Sequence, residues 1–284
     1  MAMIPAIREA GTGNPGTGYG RILELTAGLP SADLLALWDF DGGTVGQLIP
    51  GSVADKSGNG HDLILKAGYI APRQTALGID VESPNGAIFA SGLNGQFRER
   101  TLFFAVSTNF PGSESGIISN FWGAEQASHN DGDPASNNAT NTVFPVLNTV
   151  GATATSNFAL YASTSAIAWG TGDRRVFAGS PGRGQNGILA VSIDGPANQI
   201  RLKAYGQVMT TIDSAAIGAF FDGVTARPNL SYGIWPNGSA RSAGALLGRL
   251  YNETVYDRAM TEAEMADIMA RIHAKLTVRG VTFP

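Results

Sequence analysis

The sequence predicts an all-β fold, a two-sheet antiparallel sandwich with one C-terminal amphipathic helix and an extended N-terminal arm. Three observations predict it. The 284 residues include 37 glycines and 14 prolines, only 15% are charged, and there is no cysteine, a composition that suits neither a helical bundle nor a coiled coil nor a disulfide-stapled scaffold. From Leu35 onward, short apolar runs are separated by clusters of Gly, Asn, Asp and Pro, the punctuation of short strands joined by turns. One stretch near the C-terminus alone carries a helical period. With 43% apolar residues the chain buries enough surface to fold.

Along the chain, residues 1–34 form the arm. Gly11 to Gly20 holds five glycines and Pro15, so it has no apolar face of its own and gains order by leaning on another surface. That surface is either its own domain or a neighbouring subunit; the neighbour is preferred, so the arm is read as an attachment arm for other subunits and the chain as a homo-oligomer. Residues 35–284 form the sandwich. Leu35 to Phe40 begins it; the runs at 86–89, 101–106, 116–118 and 158–161 continue it. Ile188 to Ile193 meets Gln199 to Tyr205 across the turn Asp194-Gly195-Pro196-Ala197-Asn198. In the second strand Ile200, Leu202 and Ala204 alternate with Arg201, Lys203 and Tyr205, one face inward and one outward. The helix announces itself by Thr261 and Glu264 at capping-box spacing, with Met260 placed to staple onto Met265. Met265, Ile268, Met269, Ile272 and Leu276 form its apolar stripe.

Charge and length narrow the function classes. A formal charge of −4 with no basic block gives no surface for a phosphate backbone, so no nucleic-acid partner is expected. No apolar stretch is long enough to span a bilayer, and Met1 to Pro5 lacks the cationic start and apolar run of a secretory leader. Synthesis in the cytoplasm, without membrane insertion, is the expectation.

Three segments carry a resemblance. Trp38-Asp39-Phe40 is followed by the loop Asp55-Lys56-Ser57-Gly58-Asn59-Gly60, and the chain closes with Tyr256-Asp257-Arg258-Ala259-Met260-Thr261-Glu262-Ala263-Glu264. Their order and spacing over about residues 35–277 resemble the laminin-G-like and concanavalin A-like domains. The resemblance implies a two-sheet jelly roll, an architecture that hosts lectins, glycoside hydrolases, adhesion modules and structural parts. One position departs from the pattern: Glu253 stands where the family places an apolar strand residue.

The signature residues read as architecture first. Trp38 and Phe40, two apart on a strand, fill the space between sheets. Asp55, Ser57 and Asn59 accept hydrogen bonds in a tight turn, and Gly58 and Gly60 supply positive φ. The same oxygens make Asp55 and Asn59 candidate Ca²⁺ ligands, the second reading of that loop.

Catalytic patterns are sparse. A laminarinase-type jelly roll carries Glu-x-Asp-x-Glu on one strand, and no Glu here is followed by Asp two positions later. Glu262, Glu264 and Asp267 belong to the helix start, where acids suit the dipole. His61, His129 and His273 have no nucleophile elbow beside them. Gly11 to Gly16 and Gly182 to Gly187 spell Gly-x-Gly-x-x-Gly without the strand, loop and helix order that nucleotide binding needs. The expectation is therefore no enzyme. Sugar recognition needs amides and carboxylates for hydroxyl groups and an aromatic face for the ring. The polar stretch from Gly123 to Thr142 supplies them: Trp122, His129, Asn130, Asp131 and Asp133 are the glycan-binding candidates, joined by Trp169 and Trp235. Together these features suggest a spike, fibre or decoration protein of a phage or phage-like particle, held by its arm and binding cell-surface polysaccharide. A purely structural assembly protein and a divergent glycoside hydrolase are the alternatives.

Overall fold

The computed structural model describes residues 28–65, 71–81, 89–93, 97–108, 116–117, 143–150, 155–162, 174–179, 184–215, 217–218, 231–232 and 248–284. Its strands are, in chain order, β1 (Leu34–Asp39), β2 (Ser52–Val53), β3 (Leu63–Leu65), β4 (Arg73–Gln74), β5 (Ile79–Val81), β6 (Phe89–Ala90), β7 (Glu99–Thr108) and β8 (Gly116–Ile117). They continue with β9 (Val143–Val150), β10 (Thr155–Ala162), β11 (Arg174–Val176), β12 (Asn186–Asp194), β13 (Gln199–Ala204), β14 (Thr210–Asp213), β15 (Ser231–Tyr232) and β16 (Gly248–Tyr256). Helix α1 (Glu262–Val278) follows.

The main sheet has eight strands in the order β14-β13-β12-β7-β16-β5-β4, with β1 also paired to β16; the strands outside it form two four-stranded sheets, β11-β10-β9-β8 and β15-β6-β3-β2. All pairings are antiparallel. The all-β antiparallel sandwich with one C-terminal helix is thus the fold, and the expected second sheet comes as two pieces. The hairpin expected near residue 195 is β12 and β13, in register from Leu189↔Ala204 to Asp194↔Gln199. Asn198 closes its turn at φ 57, a conformation Asn tolerates better than most residues.

Alternation along the strands sorts the buried side chains into two cores. Trp38, Phe40, Leu102, Phe104, Val106, Leu189, Val191, Ile200, Leu202 and Val255 face Leu63 and Phe89 of the small sheet across the inter-sheet core. Leu37, Phe103, Ala105, Ile188 and Ala190 point the other way, onto Met265, Ile268, Met269, Ile272 and Leu276 of α1. Both faces of the main sheet are therefore covered in its centre. This corrects the outward assignment of Arg201 and Lys203. Lys203 is only 7% exposed, and its Nζ donates to Glu262 Oε1 at 2.8 Å. Arg201 donates to Met260 O and Asp194 Oδ2.

The helix starts where the capping box places it. Thr261 N donates to Glu264 Oε2 at 2.8 Å, and Glu264 N donates back to Thr261 Oγ1. The bond from Thr261 N first, then the Thr261 hydroxyl donating to the same Oε2, and then Arg258 hold the Glu264 carboxyl down to about 2. Met260 and Met265 are both buried in the helix-side core, as a staple requires. Replacing Thr261 with Ala removes one cap acceptor and lowers stability by about 1 kcal/mol. Thermal unfolding followed by circular dichroism should show a midpoint lower by roughly 2–4 °C.

Residues 28–34 of the arm lie against this layer. Leu29 is buried with the helix residues, Arg271 Nη1 donates to Gly28 O, and Tyr256 Oη donates to Pro30 O. Residues 1–27 lie outside the described set. No helix among the described residues is long and apolar enough to cross a membrane.

Candidate functional site

Strand β1 pairs with β16 on one side only, so its other edge offers free backbone groups that must be covered. The signature turn covers them. Asp55 Oδ1 accepts from Leu37 N at 2.9 Å, Lys56 N donates to Leu37 O at 2.7 Å, and Asn59 Nδ2 donates to Leu34 O at 2.7 Å and Leu35 O at 3.1 Å. Inside the turn Asp55 also accepts from Ser57 N, Ser57 Oγ and His61 N. Gly58 and Gly60 turn the chain at φ 87 and φ 82. Trp38 Nε1 then donates to His61 O at 2.7 Å, which fixes the indole in the core. Four donors fill the Asp55 carboxylate and two carbonyls take the Asn59 amide, the geometry of the structural reading of this loop. Among the described residues no group of three or more His, Cys, Asp or Glu side chains is gathered that could hold a metal ion.

Beside this turn runs a chain of alternating charges. Asp39, its side chain fully buried, meets Lys275 of α1 in an ion pair and accepts from Asn252 Nδ2 at 2.7 Å. Lys56 Nζ lies 3.8 Å from Asp39 and 2.5 Å from Asp41, and Arg279 Nη1 lies 3.1 Å from Asp41. Burial pulls the Lys275 ammonium down against the opposing pull of Asp39, and the net shift is downward. Burial pushes Asp41 up, but Lys56, Arg279 and Lys275 outweigh it and hold that carboxyl below its usual range. No motif in the sequence marks this network. Its signal was present in β1, where Leu34, Ala36, Leu37 and Trp38 are buried and an acid among them needs a cation.

The departure at Glu253 follows from a bulge. The register of β16 on β7 shifts between Leu250 and Asn252, so Tyr251 and Asn252 both turn to the helix side and Glu253 turns into the inter-sheet core. There it lies between its cross-strand partners Trp38 and Phe104. The bulge also divides one edge of β16: β5 pairs with Gly248–Leu250, and β1 with Asn252–Tyr256. Gln74 seals the junction by donating to Phe40 O and Gly78 O. Gly78 approaches so closely that a Cβ there would sit 2.2 Å from Leu250 O.

The glycan candidates Trp122, His129, Asn130, Asp131, Asp133, Trp169 and Trp235 lie outside the described residues. The strands that anchor two of their segments are described. Val143 of β9 is paired with Ala162 of β10, and Tyr161 of β10 with Arg174 of β11. Residues 118–142 run into Val143, and residues 163–173 connect Ala162 to Arg174. The described residues that flank both segments, Val143, Ala162 and Arg174, thus lie at the same end of one sheet. Of the histidines, His61 serves through its backbone, and the His273 ring stacks on Tyr205 at 4.5 Å and lies tilted against Phe283 at 4.8 Å.

No protein-family model matches the chain, and no curated protein matches it. Solved structures do. A GH54 α-L-arabinofuranosidase soaked with a cyclic sulfate inhibitor superposes with a TM-score of 0.52 at 11% identity, over 89% of this chain and 64% of that one. Domain 4 of AbnA, a GH43 extracellular arabinanase from Geobacillus stearothermophilus, in complex with arabinotriose, gives 0.49 at 16% identity over 84% and 98%. The CBM40 of a Ruminococcus gnavus IT-sialidase bound to α2,3-sialyllactose gives 0.44 at 13% over 61% and 83%. The first of these likenesses extends along most of the chain, and what it shows is the fold: an antiparallel β-sandwich.

Proposed function

We propose that this chain is a glycan-binding jelly-roll module without catalytic activity. The observation that carries the reading is topological: the segments holding Trp122, His129, Asn130, Asp131 and Asp133 on one side and Trp169 on the other are rooted at one end of the β11-β10-β9-β8 sheet. The centre of the main sheet is closed on both faces among the described residues, and in this reading recognition is assigned to connecting segments. Stacking of an indole on a sugar ring, with amides and carboxylates on the hydroxyl groups, is the chemistry these residue types supply. Binding of arabinotriose and sialyllactose by two structures of similar architecture is in keeping with it. The sugar need not be either of these.

In this reading the glycine-rich stretch Gly11–Gly20 docks the module, as a spike, fibre or decoration protein, onto a phage or phage-like particle as a homo-oligomer. The attachment half rests on that stretch alone. The test is a binding screen of the full chain against a panel of bacterial surface polysaccharides. Trp122→Ala and Trp169→Ala should each weaken the best hit about tenfold, equivalent to about 1.4 kcal/mol, while leaving the unfolding midpoint unchanged. Unaltered affinity in both variants would sink the glycan site. Polysaccharide turnover abolished by Asp131→Ala or Asp133→Ala would make the protein a hydrolase instead.

A further inference from the structure

Among the described residues two carboxyls are buried, Asp39 and Glu253. They sit on opposite faces of the main sheet and are treated differently. Asp39 has Lys275 and Asn252. Glu253 is 0% exposed, and neither of its carboxyl oxygens has a hydrogen-bond partner.

Among the described residues the surroundings offer no counter-charge. From β1 its face presents Ala36 and Trp38, with Phe40 just beyond the strand, and from β7 it presents Leu102, Phe104 and Val106. Arg100 lies on the same face of β7 four residues away, roughly 13 Å along the strand, and is engaged by Asp257 at 2.9 Å and by the Phe97 ring. On β16 itself Leu250 and Val255 face the same core, as do Leu63 and Phe89 of the facing layer. Asp80 of β5 is paired with Arg249, on the opposite side from Ile79 and Leu250. A carboxylate cannot rest in such a place without a partner, whereas a neutral carboxylic acid can.

We propose that Glu253 is a proton-operated latch: while its carboxyl is neutral the inter-sheet core closes over it, and loss of that proton as the pH rises loosens β16 from β1 and β7. Burial alone pushes this carboxyl well above its ordinary value. The sign follows from linkage. A group bound more tightly to its proton in the folded chain contributes stability that is fully present below the unfolded value of about 4.3, and that stability is lost as pH rises through the folded value. Within that window the folding equilibrium constant falls by up to about tenfold per pH unit. Because β16 holds β7, β1 and β5 together, the release acts on the whole main sheet.

Urea unfolding of the full chain between pH 4 and pH 9, compared with Glu253→Gln and Glu253→Met, tests this. Asp41, Glu264 and Lys275, also shifted, remain in every variant and cancel in the comparison. The expected result is a difference in folding constant between wild type and either variant that widens above pH 4.3, up to about tenfold per unit, until it levels off. Curves that stay parallel across the range overturn the latch. Should neither variant fold, the infrared carbonyl band of a protonated carboxylic acid in the wild-type protein at pH 6.5 decides: its presence supports the proposal, and its absence overturns it.

Discussion

Lys275→Met destabilises the protein by about 3 kcal/mol, because it strands the carboxylate of Asp39 inside the fold. Asp39 is fully buried at its side chain, and with Lys275 gone the nearest cation is Lys56 at 3.8 Å, already drawn to Asp41 at 2.5 Å. The thermal midpoint should drop by roughly 6–12 °C. The double variant Lys275→Met with Asp39→Asn removes the charge together with its partner and keeps an oxygen for Asn252 Nδ2. It should therefore recover most of the loss, a coupling that a double-mutant cycle measures. If the two substitutions simply add, the ion pair is not what holds β1 to the end of α1.

Asp55→Ala should have an effect of similar size through a different route. It removes the acceptor of four hydrogen bonds at once, including the one from Leu37 N on the outer edge of β1. Each partly buried donor left without a partner costs about 1 kcal/mol, so a loss of about 3–4 kcal/mol is expected in denaturant unfolding. Asn59→Ala, which strips only the two bonds to Leu34 O and Leu35 O, should cost less than half as much. Adding Ca²⁺ to the wild-type chain separates the two readings of this turn. A rise in midpoint with Ca²⁺ that Asp55→Ala abolishes would make the loop a cation site, and an unchanged midpoint leaves it structural.

Local signals were legible in the sequence wherever chain neighbours do the work. The capping box of Thr261 and Glu264, the staple of Met260 on Met265, the β12–β13 hairpin and the Gly58 and Gly60 turn all depend on residues a few positions apart, and all stand in the structure. Trp38 and Phe40 point into the inter-sheet core as two-residue periodicity requires. What alternation alone could not give was the effect of one extra residue. Strict alternation from the buried Leu250 sends Glu253 outward; the bulge at Tyr251 inverts every side chain after it and carries Glu253 inward. Likewise Arg201 and Lys203 look like a solvent face until α1, some sixty residues on, is laid over them. For the glycan candidates the sequence supplied residue types and the sheet supplied a common root for two of their segments, by pairings that no local pattern encodes.

The position of β16 also sets the order in which the molecule can assemble. This strand lies in the middle of the main sheet yet is the last of its strands in chain order; β1 has its described pairing with it, and β7 and β5, already paired to β12 and β4, gain their second neighbour from it. β1 must wait through more than two hundred residues of synthesis before Asp39 can meet Asn252. A nascent chain on the ribosome can form the β12–β13 hairpin and its pairing with β7, but its sandwich stays open along one seam, with Trp38 and Phe104 uncovered, until the final strand arrives. The seam between β1 and β16 thus closes late, because its two strands are separated by most of the described chain.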